Sequence, residues 1–152
     1  MAAVSCPGHP FSTELTLNPT QNIRPGMEGA ETTVVTREIT VAHFREGMPE
    51  AYGTPFMIYL MEVAAANAIQ GSLPEGWVSV GAEVNVRHLA ATPVGYTVTA
   101  TARVLSVNDR LITFSVGAHD GVERIGTGTH IRAAIDVARF KQRMEGKQLP
   151  GS

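Results

Sequence analysis

The longest regular feature of the chain is an alternation of apolar and polar positions that begins at Trp77. In the segment "WVSVGAEVNVRH" every even position from Val78 to Val86 is apolar, and His88 continues that series. A period of two places alternate side chains on opposite faces of a β-strand. The pattern therefore predicts a long, half-buried strand over residues 77–88, with His88 at the end of its core-facing side.

Three more strand patterns follow along the chain. They are "YTVTATARVLSV", "RLITFSVGAH" and "VERIGTGTHIRAAIDV", separated by turn-forming pairs at Asn108-Asp109 and Asp120-Gly121. Short connections between consecutive strands favour an antiparallel meander of four strands. Upstream, the β-branched run "ETTVVTREITV" predicts one further strand over residues 31–41.

Between these strands the segment "TPFMIYLMEVAAANAIQG" has the character of a helix. Thr54 suits the N-cap, Pro55 suits the first helical position, and Gly71 suits the end. Apolar residues occur on every side of this helix, which is typical of a helix that is surrounded by protein.

An antiparallel sheet that curls around one long central helix buries that helix, and this α+β arrangement is the hot-dog fold. Apolar helix surface beyond the reach of the sheet predicts a homodimer, with a tetramer as the alternative. We expect a flexible N-terminal arm over residues 1–30, the hot-dog domain over residues 31–140 and a C-terminal tail over residues 141–152.

Composition and charge limit the classes of partner. The formal net charge of -2 over 152 residues gives no reason to expect nucleic acid or an anionic membrane. No apolar run reaches the ~18 residues of a membrane span, and the N-terminus lacks a secretion signal, so we expect a cytoplasmic protein. The single cysteine, Cys6, excludes an intrachain disulfide and a cysteine-based zinc site.

The candidate chemistry begins with Glu62, a carboxylate inside the apolar helix. Because His88 lies on the strand face that the helix must cover, we expect the two side chains to meet, within one subunit or across a dimer. Such a pair can act as a base or a nucleophile near neutral pH. The alternative is a buried ion pair that serves the structure alone.

Thr54 adds a hydroxyl at the start of the helix. Backbone N–H groups and the helix dipole favour developing negative charge at this position. The alternative is that Thr54 is an N-cap and nothing more.

Three segments together resemble the hot-dog acyl-CoA thioesterases, in the branch that contains the fluoroacetyl-CoA thioesterases. They are "TPFMIYLMEVA", "SVGAEVNVRHLAATPVGYTVTATARVLSV" and "FSVGAHDGVERIGTGTHIRA". The resemblance covers about residues 32–140. It implies hydrolysis of an acyl-CoA thioester to free acid and CoA at a dimer interface, with no cofactor beyond the CoA of the substrate.

The resemblance also implies roles for individual residues. The family's catalytic Thr, Glu and His fall on Thr54, Glu62 and His88, and its substrate-lining Gly and Arg fall on Gly81 and Arg132. The alternation of apolar residues on either side of Arg132 points this side chain away from the core, unless a bulge at one of the nearby glycines, Gly126 or Gly128, turns it inward.

The loop before the helix departs from the family pattern. Members specialised for fluoroacetyl-CoA carry phenylalanines there, whereas Met48 matches one of these positions and Phe44 lies nearby. Met is a flexible side chain that adapts to its contacts. We therefore expect Phe44 and Met48 to line the site of an acyl group other than fluoroacetyl.

Two other functions remain open at this point. One is a hot-dog dehydratase or hydratase for 3-hydroxyacyl or enoyl thioesters, although its Asp and His pair in one loop segment is absent from the sequence. The other is a non-catalytic acyl-CoA-binding module, which has no need of an acid–base pair such as Glu62 and His88. Direct attack by water and a covalent acyl-enzyme are both compatible with the sequence.

Overall fold

The computed structural model describes residues 18–151. Its strands are β1 (Glu28–Val34), β2 (Trp77–His88), β3 (Thr97–Asn108), β4 (Leu111–His119) and β5 (Arg124–Asp136). Its helices are α1 (Val41–Phe44), α2 (Thr54–Ala68) and α3 (Val137–Glu145), with a 3-10 helix over Arg37–Ile39. Among the described residues no helix is long and apolar enough to cross a membrane.

The five strands form one antiparallel sheet in the order β1-β3-β4-β5-β2. The predicted meander is therefore correct for β3, β4 and β5 and wrong for β2, which pairs with β5 at the far edge. The connection over residues 89–96 contains Pro93 and Gly95 and is too long for a tight hairpin. It is held at the β4–β5 turn, where the Thr92 hydroxyl donates to the Asp120 carboxylate at 2.9 Å.

The first strand also differs from its prediction. It was expected over residues 31–41 but occupies Glu28–Val34, because Val34 pairs with Thr97, the first residue of β3. Beyond that point no strand remains to pair with, and the chain turns into the 3-10 helix.

Residues 1–17 of the expected arm, with Cys6, lie outside the described residues. The described part of the arm packs against the domain: Ile23 is buried in the core, and the Thr20 hydroxyl donates to the Asp109 carbonyl at 2.6 Å. In the tail, α3 extends through Glu145 and so crosses the boundary expected at residue 140.

The α2 helix lies on the inner face of the curled sheet and packs chiefly against β1 and β3. Its 15 residues present one fully apolar face to the core. The side chains of that face are Met57, Leu60, Met61, Ala64 and Ala65. Close packing requires Gly29 of β1, because a Cβ there would strike the backbone of α2 at Ala64 and Ala68.

A β-bulge in β2 changes which of its side chains face the helix. Gly81 pairs with Arg132 and Glu83 with Ile131, so Ala82 is an extra residue in the strand. Paired residues share a face of the sheet, and the buried Arg132 therefore places Gly81 on the inner face. The sequence predicted that all even-numbered residues of β2 face the core. This was wrong for the residues that precede the bulge, where Val78 points outward and is 44% exposed.

The contact between β1 and α2 predicts the effect of an added methyl group. Gly29→Ala should lower the free energy of unfolding by about 1–3 kcal/mol, because the backbone atoms that it meets cannot move aside cheaply. Urea denaturation measures this change. Gly117→Ala is the matched control, since a Cβ there would have Thr101 Oγ1 as its nearest neighbour at 3.7 Å, an ordinary contact. An equal decrease in the free energy of unfolding in Gly29→Ala and Gly117→Ala would contradict this account of the packing.

Candidate active site

Thr54 is the first residue of α2 and directs its hydroxyl toward β2. Gly53 occupies the N-cap position, and its carbonyl accepts from the N–H groups of Phe56 and Met57. Thr54 Oγ1 lies 2.7 Å from Nδ1 of His88. The prediction that Thr54 is the N-cap was therefore wrong, and its side chain is free for a long-range contact.

His88 ends β2 with its ring half-buried. Burial lowers the pKa of His88 below its ordinary value of 6.5, and the backbone of Ala90 opposes this effect more weakly. The ring is therefore neutral at neutral pH. Its Nε2 atom is buried and has no hydrogen-bond partner within residues 18–151. One ring nitrogen is thus engaged by Thr54, and the other is unsatisfied.

Glu62 lies over Gly81, in the middle of β2. A Cβ on Gly81 would come within 3.0 Å of Glu62 Oε1, so the absence of a side chain there makes room for the carboxylate. Within the described chain the carboxylate forms no hydrogen bond and no ion pair. The expected contact between Glu62 and His88 is therefore not made inside one chain. Thr54 is the partner of His88 Nδ1, and the Glu62 carboxylate of α2 lies over Gly81, in the middle of β2, while His88 is at the end of that strand.

Arg132 is on the inner face and is only 7% exposed. Its Nε donates to Ser79 Oγ at 2.8 Å, and its Nη2 donates to the Ser79 carbonyl at 2.9 Å. Its Nη1 donates to the backbone carbonyl of Glu62 at 3.4 Å. Burial lowers the pKa of Arg132, and the nearby charge of Glu62 raises it in part. These hydrogen bonds make a buried guanidinium tolerable.

The outward direction expected for Arg132 was wrong. Across the sheet it pairs with the buried Ile112 of β4, and paired residues share a face. The alternate apolar positions Ile131 and Ala133 are the ones that face away from the helix. No bulge at Gly126 or Gly128 is involved in the pairing of Arg132 with β2.

His130 is a site residue that sequence reasoning missed. It is 2% exposed, its Nδ1 lies 2.7 Å from the Glu83 carbonyl, and its Nε2 lies 3.2 Å from Arg132 Nη1. The signal was its spacing of two from Arg132 in "THIR", which places both side chains on one face of β5. Burial lowers the pKa of His130, as does the charge of Arg132; the Glu83 carbonyl and Glu62 oppose them.

Phe44 and Met48 lie together beside the start of α2. With Phe56 they line an apolar cavity of about 500 Å³ that borders Gly53 and Pro55, the two neighbours of Thr54 in the chain. Phe44 stacks on Phe56 with ring centroids 5.6 Å apart. An acyl group bound here lies next to Thr54.

Residues 35–138 match the family model of the fluoroacetyl-CoA-specific thioesterases, FlK. The chain belongs to this family. The resemblance recognised in the sequence motifs is thereby confirmed, and with it the assignment of the chain to the acyl-CoA thioesterases.

Individual thioesterases support the same assignment. The fluoroacetyl-CoA thioesterase of Streptantibioticus cattleyicolor is 45% identical over 103 residues, which cover 68% of this chain and 74% of that protein. A solved structure of the fluoroacetyl-CoA thioesterase FlK is 39% identical, with a TM-score of 0.79 over 84% of this chain and 98% of that one. A thioesterase superfamily member from Thermus thermophilus is 31% identical, with a TM-score of 0.73, 84% of this chain and 99% of that one being covered. The hot-dog thioesterase fold predicted from the sequence is confirmed.

His88 and His130, whose pKa values are lowered by burial, predict how the stability of this thioesterase depends on pH. A histidine whose pKa is lowered by folding binds fewer protons in the native state than in the unfolded state below pH 6.5. The free energy of unfolding should therefore fall as the pH is lowered from 7 to 5. Urea titrations across this range measure the slope, and His130→Phe should make it shallower. If His130→Phe leaves the slope of stability against pH unchanged, the lowered pKa of His130 is contradicted.

Proposed function

We propose that this chain hydrolyses an acyl-CoA thioester at a site made of Thr54, Glu62 and His88, completed by a second copy of the chain. The products are the free acid and CoA, and no cofactor is needed beyond the CoA of the substrate. The observation that carries the proposal is the 2.7 Å contact between Thr54 and His88 at the start of α2, in a member of a thioesterase family.

Two unsatisfied groups support a homodimer. His88 Nε2 is buried without a partner within residues 18–151, and the half-buried Glu62 carboxylate forms no hydrogen bond with that part of the chain. Buried polar groups in native proteins are nearly always hydrogen-bonded. A carboxylate accepts from a ring N–H, so a hydrogen bond from His88 Nε2 of the partner subunit to Glu62 satisfies both groups.

The free edge of β2 supports the same arrangement. β2 is an edge strand of 12 residues, and an edge of this length is a template for pairing with another chain. Antiparallel self-pairing along this edge joins the β2 strands of two copies, with the inner faces of both on the same side of the joined sheet. Because Glu62 lies over Gly81 on this inner face, which also carries His88, the pairing brings Glu62 of one copy toward His88 of the partner subunit.

The donors at the start of α2 suit a developing oxyanion. Pro55 has no N–H, and the N–H groups of Phe56 and Met57 bond the Gly53 carbonyl. Thr54 therefore supplies the available backbone donor, its own N–H, while its hydroxyl is in contact with His88 Nδ1. Preorganised donors of this kind stabilise the tetrahedral intermediate of acyl transfer.

In the direct route, Glu62 accepts a proton from water while the water oxygen bonds to the thioester carbonyl carbon. The C–S bond then breaks, and the proton taken up by Glu62 passes by way of the neutral His88 ring to the departing CoA sulfur, which regenerates the carboxylate. In the covalent route, a Glu62 oxygen bonds to the same carbon, CoA leaves, and water then cleaves the resulting anhydride. Both routes need an ionised Glu62 and an unprotonated His88.

The acyl group is proposed to occupy the apolar cavity lined by Phe44, Met48 and Phe56. Met48 stands where fluoroacetyl-specific members carry a phenylalanine, and its flexible side chain accommodates acyl groups of different shape. We therefore propose a substrate other than fluoroacetyl-CoA.

Glu62→Gln tests the catalytic carboxylate, because it keeps the size of the side chain and removes its charge. Thiol release from short, branched, aromatic and halogenated acyl-CoAs should fall about 100-fold or more in kcat. Glu75→Gln, at an exposed carboxylate in a turn, is the matched control and should retain full activity. Full activity in Glu62→Gln would sink the assignment.

Two outcomes of the same panel point to other functions. Binding of acyl-CoA without turnover by the folded wild type would favour a binding module. Loss of the double bond of an enoyl-CoA without thiol release would favour a hydratase.

Mixing two inactive variants tests the shared site. In a heterodimer of Glu62→Gln and His88→Asn, one of the two composite sites is fully wild type. Random exchange of subunits should therefore restore about a quarter of the wild-type activity. A site contained within one chain leaves both sites of the heterodimer damaged, and no recovery after exchange would contradict the shared site.

A further inference from the structure

A buried imidazole lies behind the proposed site without touching its reacting groups. His130 is on the inner face of β5, with its ring stacked at 6.3 Å from that of Phe114. We propose that His130 is a positioning residue that keeps the Arg132 guanidinium away from the Glu62 carboxylate, so that the carboxylate stays free to react. This inference rests on the proposed role of Glu62.

The hydrogen bonds of His130 determine its tautomer. The Glu83 carbonyl can only accept, so the contact at 2.7 Å requires a proton on Nδ1. The guanidinium can only donate, so the contact at 3.2 Å requires a lone pair on Nε2. His130 is therefore neutral and serves Arg132 as an acceptor.

The donors of Arg132 are almost fully used. Its five N–H groups meet Ser79 Oγ, the Ser79 carbonyl, the Glu62 carbonyl and His130 Nε2, which leaves one N–H of Nη2 without an acceptor in the described chain. The guanidinium is therefore held in one orientation by groups on β2, α2 and β5.

This orientation separates two opposite charges that attract each other. Burial lowers the pKa of Arg132, and the nearby charge of Glu62 opposes this effect. However, the structure has no ion pair between their charged ends, and Arg132 bonds only the backbone carbonyl of Glu62. Arg-carboxylate pairs are among the strongest side-chain contacts when they form.

The acceptor on His130 therefore competes with the Glu62 carboxylate for Nη1 of Arg132. If His130 loses its Nε2 acceptor, that N–H can turn to the carboxylate, and Gly81 has no side chain to prevent it. A carboxylate held by arginine in this way is a poorer base and a poorer nucleophile. His130 thus acts on the reaction through Arg132 and not by contact with the substrate.

Three substitutions separate the two hydrogen bonds of His130. Gln places an oxygen near the position of Nε2 and keeps the acceptor for Arg132, whereas Asn keeps the donor to Glu83 and loses that acceptor. Phe fills the space and loses both. We expect kcat to fall roughly tenfold to a hundredfold in His130→Asn and His130→Phe, with KM little changed, and to stay near wild type in His130→Gln.

Thermal unfolding of the same variants and a double substitution provide the controls. A purely structural role would lower the unfolding midpoint and leave kcat of the remaining folded enzyme unchanged, which would overturn the proposal. Equal losses of kcat in the Gln and Phe variants would also overturn it. In the double variant of His130→Phe with Arg132→Gln, kcat should be no lower than in Arg132→Gln alone, because His130 acts through the arginine.

Nitrogen NMR of histidine-labelled protein tests the tautomer without any turnover. At pH 7 one buried histidine should show a protonated Nδ1 and an unprotonated Nε2, and its signals should vanish in His130→Gln. A charged ring or the opposite tautomer in a chain that hydrolyses acyl-CoA would overturn this inference alone. The expected tautomer in a chain that hydrolyses none would instead overturn the proposed function and, with it, the catalytic role of His130.

Discussion

The α2 helix lies so close to β1 that only a glycine fits between the two backbones. Gly29 faces Ala64 and Ala68 of the helix, and a methyl group there would strike backbone atoms on both. This contact sets the height of α2 above the sheet, because neither backbone can yield. The positions of Thr54 and Glu62 relative to β2 follow from this height. A packing constraint at the β1 edge of the sheet therefore determines the geometry of the candidate site at the β2 edge.

The interior changes from apolar to polar where α2 passes over β2 and β5. Over β3 and β4 the inner face is apolar, with Val98 and Phe114 fully buried, whereas the inner face of β5 carries His130 and Arg132. Such groups are tolerated in the interior only if their hydrogen bonds are made there. The bulge at Ala82 contributes by turning Ser79 inward, where it accepts from Arg132. The apolar part of the interior stabilises the fold, and the polar part holds the site.

Within one chain the proposed site is incomplete. Thr54 and His88 are in contact, while Glu62, on the same helix as Thr54, has no partner for its carboxylate in the described chain. The free edge and the unpartnered His88 Nε2 both belong to β2, and the Glu62 carboxylate lies over that strand, so in the proposed homodimer one association resolves all three. In that proposal the second copy covers apolar surface of the domain and supplies a catalytic group in the same contact.

The sequence by itself determined the local features of this protein. Period two predicted both ends of β2, and the motifs identified the family, because these signals depend on neighbouring residues. The tertiary structure alone decided that β2 pairs with β5, that a bulge reverses its parity, and that Arg132 points inward beside His130. Each of these depends on a partner strand distant in sequence, which hydropathy does not record. The same holds for Thr54: its position at the start of a helix predicted a cap, and only the approach of β2 gave its hydroxyl a histidine to bind.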